Sequence, residues 1–362
     1  DFLYDNSKLD PIPYWSLDSV ANAGTSNILS NNKSNITKKL EDLLRKSIKQ
    51  QMVADVPIGA FLSGGVDSSL VTALMQKESM NKIKTFTIGF TDKNYNEANY
   101  AKSIARHLQT DHTELYIEPN QARDVIPILP DLYDEPFSDS SQIPTYLISE
   151  LTKKNVTVAL SGDGGDEIFG GYNRYLLNEN LFNKIKNLPN FIKTPSASLI
   201  KKISPNTWDK IFSNVSNFIP NNYNAVRKGE KIHKLADILT ANSNEEVYSR
   251  LVSQWQNPLE LNINKKNILK DNYSDSLLSK DMEFRNFMMF RDSISYLPDD
   301  ILVKVDRAAM GVSLETRVPF LDHRIVEFAW RIPLSMKIKD GKGKLILRDI
   351  LYKYVPKDLI ER

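Results

Sequence analysis

The chain has 362 residues, with 47 Lys+Arg against 45 Asp+Glu, a hydrophobic share of 41% and no cysteine. That length suits two domains, or one large α/β domain with insertions. The near-balanced charge argues against a dedicated nucleic-acid surface. The lack of cysteine excludes disulfides, thiolate zinc sites, iron–sulfur clusters and a cysteine nucleophile. No apolar run reaches the length of a membrane-spanning helix, so no membrane contact is expected.

In chain order, residues 1–35 read as a linker: Pro11 and Pro13 break structure, and 22–35 is a Ser/Asn/Gly-rich polar run. The polar start lacks both an initiator Met and an apolar signal segment, which suggests an internal piece of a longer, cytoplasmic polypeptide. From residue 36, apolar Ile36, Leu40, Leu43, Leu44, Ile48 and Met52 recur at helical spacing. Strands are expected over 56–62, 84–90, 113–117 and 156–160. Helices are expected after Ser69, over 97–108 and over 144–153. Strands alternating with helices imply a parallel sheet covered on both faces. From about Tyr175 the strand pattern fades, and 182–188, 235–239, 247–255, 284–290 and 325–330 read as helices. No repeat of 20–50 residues is present.

Two segments carry chemistry, and each follows a strand. Ser63-Gly64-Gly65-Val66-Asp67-Ser68-Ser69 combines two glycines, which let backbone N–H groups turn inward, with hydroxyl donors and a helix start. It reads as a phosphate cradle without the Lys of a Walker A loop. Ser161-Gly162-Asp163-Gly164-Gly165-Asp166-Glu167 places three carboxylates beside it. Carboxylates alone would repel phosphate; Mg²⁺ resolves the conflict, because it takes both kinds of oxygen. The blander readings are an ordinary Gly-rich turn and an Asx-rich helix cap. His107, His112, His233 and His323 have no metal-ligand spacing, and Arg317 and Asp322 read as loop organisers.

Together these segments resemble the ATP-pyrophosphatase superfamily, most closely the synthetase domain of glutamine-dependent asparagine synthetases. The similarity extends from about Ile36 to the C-terminus. It includes Asp134-Glu135-Pro136-Phe137, Pro144-Thr145-Tyr146, Tyr296-Leu297-Pro298-Asp299-Asp300, Lys304-Val305-Asp306-Arg307 and the run from Leu314 to Asp322. The resemblance implies an α/β fold: an adenine-nucleotide-hydrolase-like parallel-sheet core over 36–174, and a mainly helical remainder of the same domain over 175–362. It implies that ATP activates a carboxylate as an acyl-adenylate, that pyrophosphate leaves, and that ammonia from a glutaminase domain displaces AMP. Leu62 and Ile88 would frame adenosine. Ser63, Gly64, Gly65, Asp67 and Ser68 would hold pyrophosphate, and Ser161 and Gly162 would bind ATP. Asp67 and Asp166 would hold Mg²⁺. Asp163 and Lys344 would be catalytic. A homodimer is compatible with the full-length relatives.

The chain departs from that pattern in four places. Asp163 stands where many relatives have Glu, one methylene longer. No cysteine is present for a glutaminase step. Relatives continue beyond a segment like 358–362, so a truncated C-terminus is expected. Finally, 138–142 carries no Arg where one large branch places Thr-Thr and Arg. Aspartate is therefore the first expectation for the acceptor, a sugar acid of surface polysaccharides the alternative, and a non-catalytic ATP-binding scaffold the third reading.

Overall fold

The computed structural model describes residues 13–30, 32–90, 97–176, 189–215, 228–241, 243–253 and 282–361. The chain divides into two compact units, one of residues 1–175 with 276–362 and one of residues 176–275.

The first unit is built on a five-stranded, all-parallel sheet. Its strands are β1 (Ile58–Phe61), β2 (Lys84–Phe90), β3 (Asp111–Ile117), β4 (Val158–Leu160) and β5 (Glu315–Arg317), in the order β3-β2-β1-β4-β5. Parallel strands need crossovers, and helices cover the sheet, so its central strands lose the apolar/polar alternation of half-exposed ones. β4 shows this: Val158, Ala159 and Leu160 are all buried. Register pairs Ile58, Gly59 and Ala60 with Val158, Ala159 and Leu160, and Phe61 with Phe86. The chain runs from β1 outward to β3 and then returns to the other side of β1. Strand order therefore reverses between β1 and β4, and a ligand crevice is expected at their carboxyl ends.

Helices Val66–Glu78, Ala98–Leu108, Gln142–Lys153 and Val303–Met310 are among those in this unit. Val66–Glu78 packs on β1, Ala98–Leu108 on β2 and β3, and Gln142–Lys153 on β2 and on Val303–Met310. Lys33–Gln51 buries Ile36, Leu40, Leu44 and Ile48, the face its spacing implied.

Two features differ from the sequence reading. The stretch read as linker contains helix Leu17–Ser26, capped by the Ser16 hydroxyl and packed on helix His323–Trp330. Ala21 and Gly24 are small enough to let the backbones approach; a methyl on Gly24 would lie 2.7 Å from the Trp330 Cβ. Leu29 N donates to Arg331 O at 2.9 Å, and Trp15 Nε1 to Glu327 Oε1 at 3.0 Å. Residues 1–12 lie outside the described residues. The second difference is that the expected helical part does not stay together: residues after 275 belong with the sheet and supply β5.

The second unit contains helices Asn190–Lys202, Pro205–Val215, Lys228–Leu239 and Asn244–Val252. Lys228–Leu239 packs against the other three. The expected helix over 182–188 and residue Trp255 lie outside the described residues. No helix among the described residues is long and apolar enough to cross a membrane.

Candidate active site

The loops after β1 and β4 meet at the crevice. The 63–68 loop folds back on itself: Ser63 N donates to Ser68 Oγ at 3.2 Å, the two hydroxyls lie 2.9 Å apart, and Gly65 N donates to Ser63 Oγ at 3.3 Å. Gly64 turns the chain at φ +77°, a left-handed conformation that favours glycine. Helix Val66–Glu78 then starts at Gly65 with no side-chain cap. Its first-turn N–H groups and positive dipole end are thus presented to the loop without a competing acceptor from the cap, which suits an anion.

The 161–167 loop is different. Ser161 N is tied to Arg317 O at 2.8 Å, and its hydroxyl donates to Asp163. Gly164 takes φ +81° and starts the short helix Gly165–Phe169. Gly162 packs directly on the first loop, since a methyl there would sit 2.8 Å from Ser68 N.

Lys344 joins the two loops. Its ammonium binds an Asp67 carboxylate oxygen and lies 2.8 Å from Asp166 Oδ1. The lysine has φ +56° and precedes helix Leu345–Leu351, with its N–H held by Phe169 O at 3.2 Å. Gly171 lies under its side chain, where a methyl would collide with both Asp166 and Lys344.

Burial drives the electrostatics here. Burial pushes the Asp67 carboxyl up to about 6; Lys344 opposes this, and Asp166 and Asp163 add to it. Burial also raises Asp163, against the Ser161 hydrogen bond and the Lys304 charge, and raises Glu167 to about 7, against a hydrogen bond from Tyr172. For Lys344, burial disfavours the charge, but the Asp67 and Asp166 carboxylates outweigh it and hold the ammonium above its ordinary value.

Leu62, Ser63, Gly65, Asp67, Ser68, Ile88, Ser161, Gly162, Asp163, Asp166 and Lys344 all line one cavity of about 670 Å³. Gly64 sets the loop's turn instead, packed near Tyr100 and Ala101. Arg317 and Asp322 do not line the cavity. Arg317 pairs with Glu315 and donates to the carbonyls of Gln51 and Val53, and Asp322 pairs with Arg324 and caps helix His323–Trp330. The histidine rings of 107, 112 and 233 each make one hydrogen bond outside the cavity, with Tyr354 O, Thr85 Oγ1 and Ile203 O, and His112 Nε2 is buried without a partner among the described residues.

For a divalent cation, the donor chemistry fits. Asp67 Oδ1 is buried with no hydrogen-bond partner, and Asp166 adds a second carboxylate nearby through the shared lysine. The described residues show no group of three or more His/Asp/Glu arranged for a metal. Two carboxylates completed by phosphate oxygens and water is a Mg²⁺-like ligand set.

Glu167, Tyr172, Tyr296 and Lys304 also line the cavity; the sequence reading placed Glu167 among the carboxylates beside the phosphate loop and Tyr296 and Lys304 in motifs of the resemblance, but gave none of the four a role. Lys304 was visible in principle, as a lysine flanked by Val303 and Val305 in a helix that buries Val305, Ala308 and Ala309. The tyrosines gave no spacing signal.

The Asparagine synthase family model matches residues 39–362. Asparagine synthetase [glutamine-hydrolyzing] 1 of Bacillus subtilis is 31% identical over 330 residues, covering 90% of this chain and 48% of the relative. A putative asparagine synthetase [glutamine-hydrolyzing] 2 of Methanocaldococcus jannaschii is 33% identical over 294 residues, covering 80% and 52% respectively. Asparagine synthetase B of Escherichia coli is 33% identical over 160 residues, 39% of this chain and 28% of the relative. The chain spans about half the length of the first two of these curated relatives. With the family model matching nearly the whole of it, the chain belongs to the asparagine synthase family.

Proposed function

We propose that this chain carries out ATP-dependent amidation of a carboxylate, aspartate to asparagine, through an acyl-adenylate. The observation that carries the reading is the junction at the strand switch point. There an anion-seeking loop, a carboxylate-rich loop and Lys344 meet in one cavity.

In this reading Leu62 and Ile88 flank the adenosine, and the 63–68 loop takes the β- and γ-phosphates. Asp67 and Asp166 would hold Mg²⁺, which when bound neutralises phosphate charge. The acceptor carboxylate oxygen attacks the α-phosphorus, the bond to the bridging oxygen breaks, and pyrophosphate leaves. Ammonia then attacks the acyl carbon, and AMP departs with the carboxylate's oxygen. Lys344 provides a fixed ammonium where α-phosphate charge builds up. Asp163, oriented by the Ser161 hydroxyl, faces the acyl group and the incoming nitrogen. Ammonia would come from a glutaminase domain, as the names of the relatives suggest. Use of ATP fits a cytoplasmic location.

The test is ATP–pyrophosphate exchange without ammonia across a panel of carboxylates. Exchange with aspartate is expected. Exchange with uronic acids alone would move the assignment to a sugar-acid amidotransferase, and none from folded protein would leave an ATP-binding scaffold.

A further inference from the structure

Two polar groups on the cavity wall have hydrogen-bonding capacity that the chain leaves unused. Lys304 is about nine-tenths buried, and its ammonium donates to Asp139 Oδ2 at 2.7 Å. An ammonium has three N–H donors, and among the described residues Asp139 is the one hydrogen-bond acceptor it meets. Asp139 is itself fixed by Ser141 N at 2.8 Å and Ser141 Oγ at 2.7 Å, and Tyr133 OH holds the Lys304 carbonyl at 3.2 Å. The lysine is thus aimed rather than merely accommodated.

Glu167 is its counterpart. It is 1% exposed and lines the same cavity. Tyr172 OH donates to Oε1 at 2.5 Å, while Oε2 is buried with no partner. An unpaired buried carboxylate oxygen is costly unless something else satisfies it.

A tyrosine wall connects the two. The Tyr172 and Tyr296 rings lie 5.7 Å apart edge-to-face, and the Arg174 guanidinium stacks on both, at 4.1 and 5.1 Å from the centroids. Arg174 is anchored to buried Asp292 at 2.8 Å. From Tyr296 the chain enters the π-helix Leu297–Leu302, which leads directly into Lys304. π-Helical turns are rare and occur frequently at functional sites. Lys304 acts electrostatically on Asp163, the residue nearest the acyl chemistry in the proposed reaction, and Asp163 in turn acts on Glu167.

A spare cationic donor and a spare carboxyl oxygen, on the wall of the cavity that Asp163 also lines, match a ligand that carries one carboxylate and one ammonium besides the reacting group. We infer that Lys304 reads the α-carboxylate and Glu167 the α-ammonium of an amino dicarboxylic acid acceptor, with Asp139 and Tyr172 positioning them. This rests on the proposed amidation and sharpens it: a uronic acid has neither the ammonium nor the second carboxylate.

The test is calorimetric binding to the purified protein in the presence of α,β-methylene-ATP. Aspartate, succinate (no ammonium), β-alanine (no α-carboxylate) and glucuronate are the ligands. Aspartate is expected to bind about 10- to 100-fold more tightly than each of the others, the range for losing a hydrogen bond to a charged group. Lys304→Met should weaken aspartate by a similar factor and leave β-alanine unchanged. Glu167→Gln should weaken aspartate and leave succinate unchanged, because each variant removes a contact that the truncated ligand already lacks. Asp139→Asn and Tyr172→Phe repeat the test with milder changes, should either first variant misfold.

Equal affinity for aspartate and its truncated analogues, tighter binding of glucuronate, or aspartate affinity untouched by all four variants would overturn the inference. Pyrophosphate exchange separates this from the reaction itself. Normal exchange with unchanged variants discards the recognition site and keeps the adenylation. Selective aspartate binding without exchange does the reverse.

Discussion

The loops after β1 and β4 sit side by side on adjacent strands yet are opposite in chemistry. The 63–68 loop is built from glycine, serine hydroxyls and a helix start, and its one acid, Asp67, is paired with Lys344. The 161–167 loop is dominated by Asp163, Asp166 and Glu167, with burial raising two of them. The first offers donors to an anion that arrives already charged. The second waits for cationic or electrophilic groups, and Lys344 supplies one in their absence. The contrast shows how one crevice can hold a polyanion beside carboxylates: the positive elements lie at the seam, where Asp67 and Asp166 share a lysine.

The largest effect should come from breaking that seam. Lys344→Ala is expected to cut adenylate formation about 10²-fold or more while ATP affinity changes only a few-fold, because its interaction strengthens as charge builds up. Single-turnover pyrophosphate release, with ATP binding measured separately, distinguishes the two. Lys344→Arg should rescue poorly, since a planar fork cannot replace a point charge. Gly171→Ala should reproduce much of the loss without removing any charge, by driving a methyl into Asp166 and Lys344.

Next in size, Asp67→Asn and Asp166→Asn should each weaken Mg²⁺-dependent ATP binding about 10-fold or more with the fold intact, the cost of one charged contact. Titrations of Mg²⁺–ATP identical to wild type would remove these carboxylates from the proposed metal site. A smaller effect tests the packing between the loops. Gly162→Ala places a methyl 2.8 Å from Ser68 N and should cost about 1–3 kcal/mol in a denaturant melt, with a parallel loss of ATP affinity.

The smallest effect lies behind the carboxylate loop. Lys337 is 2% exposed, with its ammonium 6.0 Å from the Phe169 ring centroid and 5.3 Å from that of Trp330. Burial lowers it from 10.5 to about 7. Between those values the unfolded chain binds more protons than the folded one, so this residue makes stability rise with pH across that window. Lys337→Met should flatten the slope and stabilise the fold near pH 7 by on the order of 1 kcal/mol. Urea melts at pH 7 and pH 9 check it.

The strands β1, β2 and β4 were legible because buried parallel strands leave short, largely apolar runs between turn residues, and the edge strand β3 showed itself through its apolar end at 115–117. β5 was not: Glu315, Thr316 and Arg317 form an edge strand of three polar residues, paired on one side only. Helix Leu17–Ser26 was hidden by its Ser/Asn/Gly composition, whose small residues serve close packing rather than looseness. The two Gly-rich loops announced themselves through glycine and acid spacing. Lys344 was reached by family resemblance alone, since a lysine in a Lys-rich stretch carries no local signal. Lys304 and Glu167 depend on a π-helix and a tyrosine wall that bring together residues far apart in the chain.

The central claim is that a carboxylate oxygen of the acceptor attacks the α-phosphorus of ATP. Aspartate labelled with ¹⁸O in its side-chain carboxylate, ammonia and Mg²⁺–ATP, followed by mass spectrometry of the nucleotide product, tests it directly. The account predicts AMP carrying one ¹⁸O, with unlabelled pyrophosphate. Asparagine formed alongside ADP and labelled inorganic phosphate, or AMP without label, would contradict it.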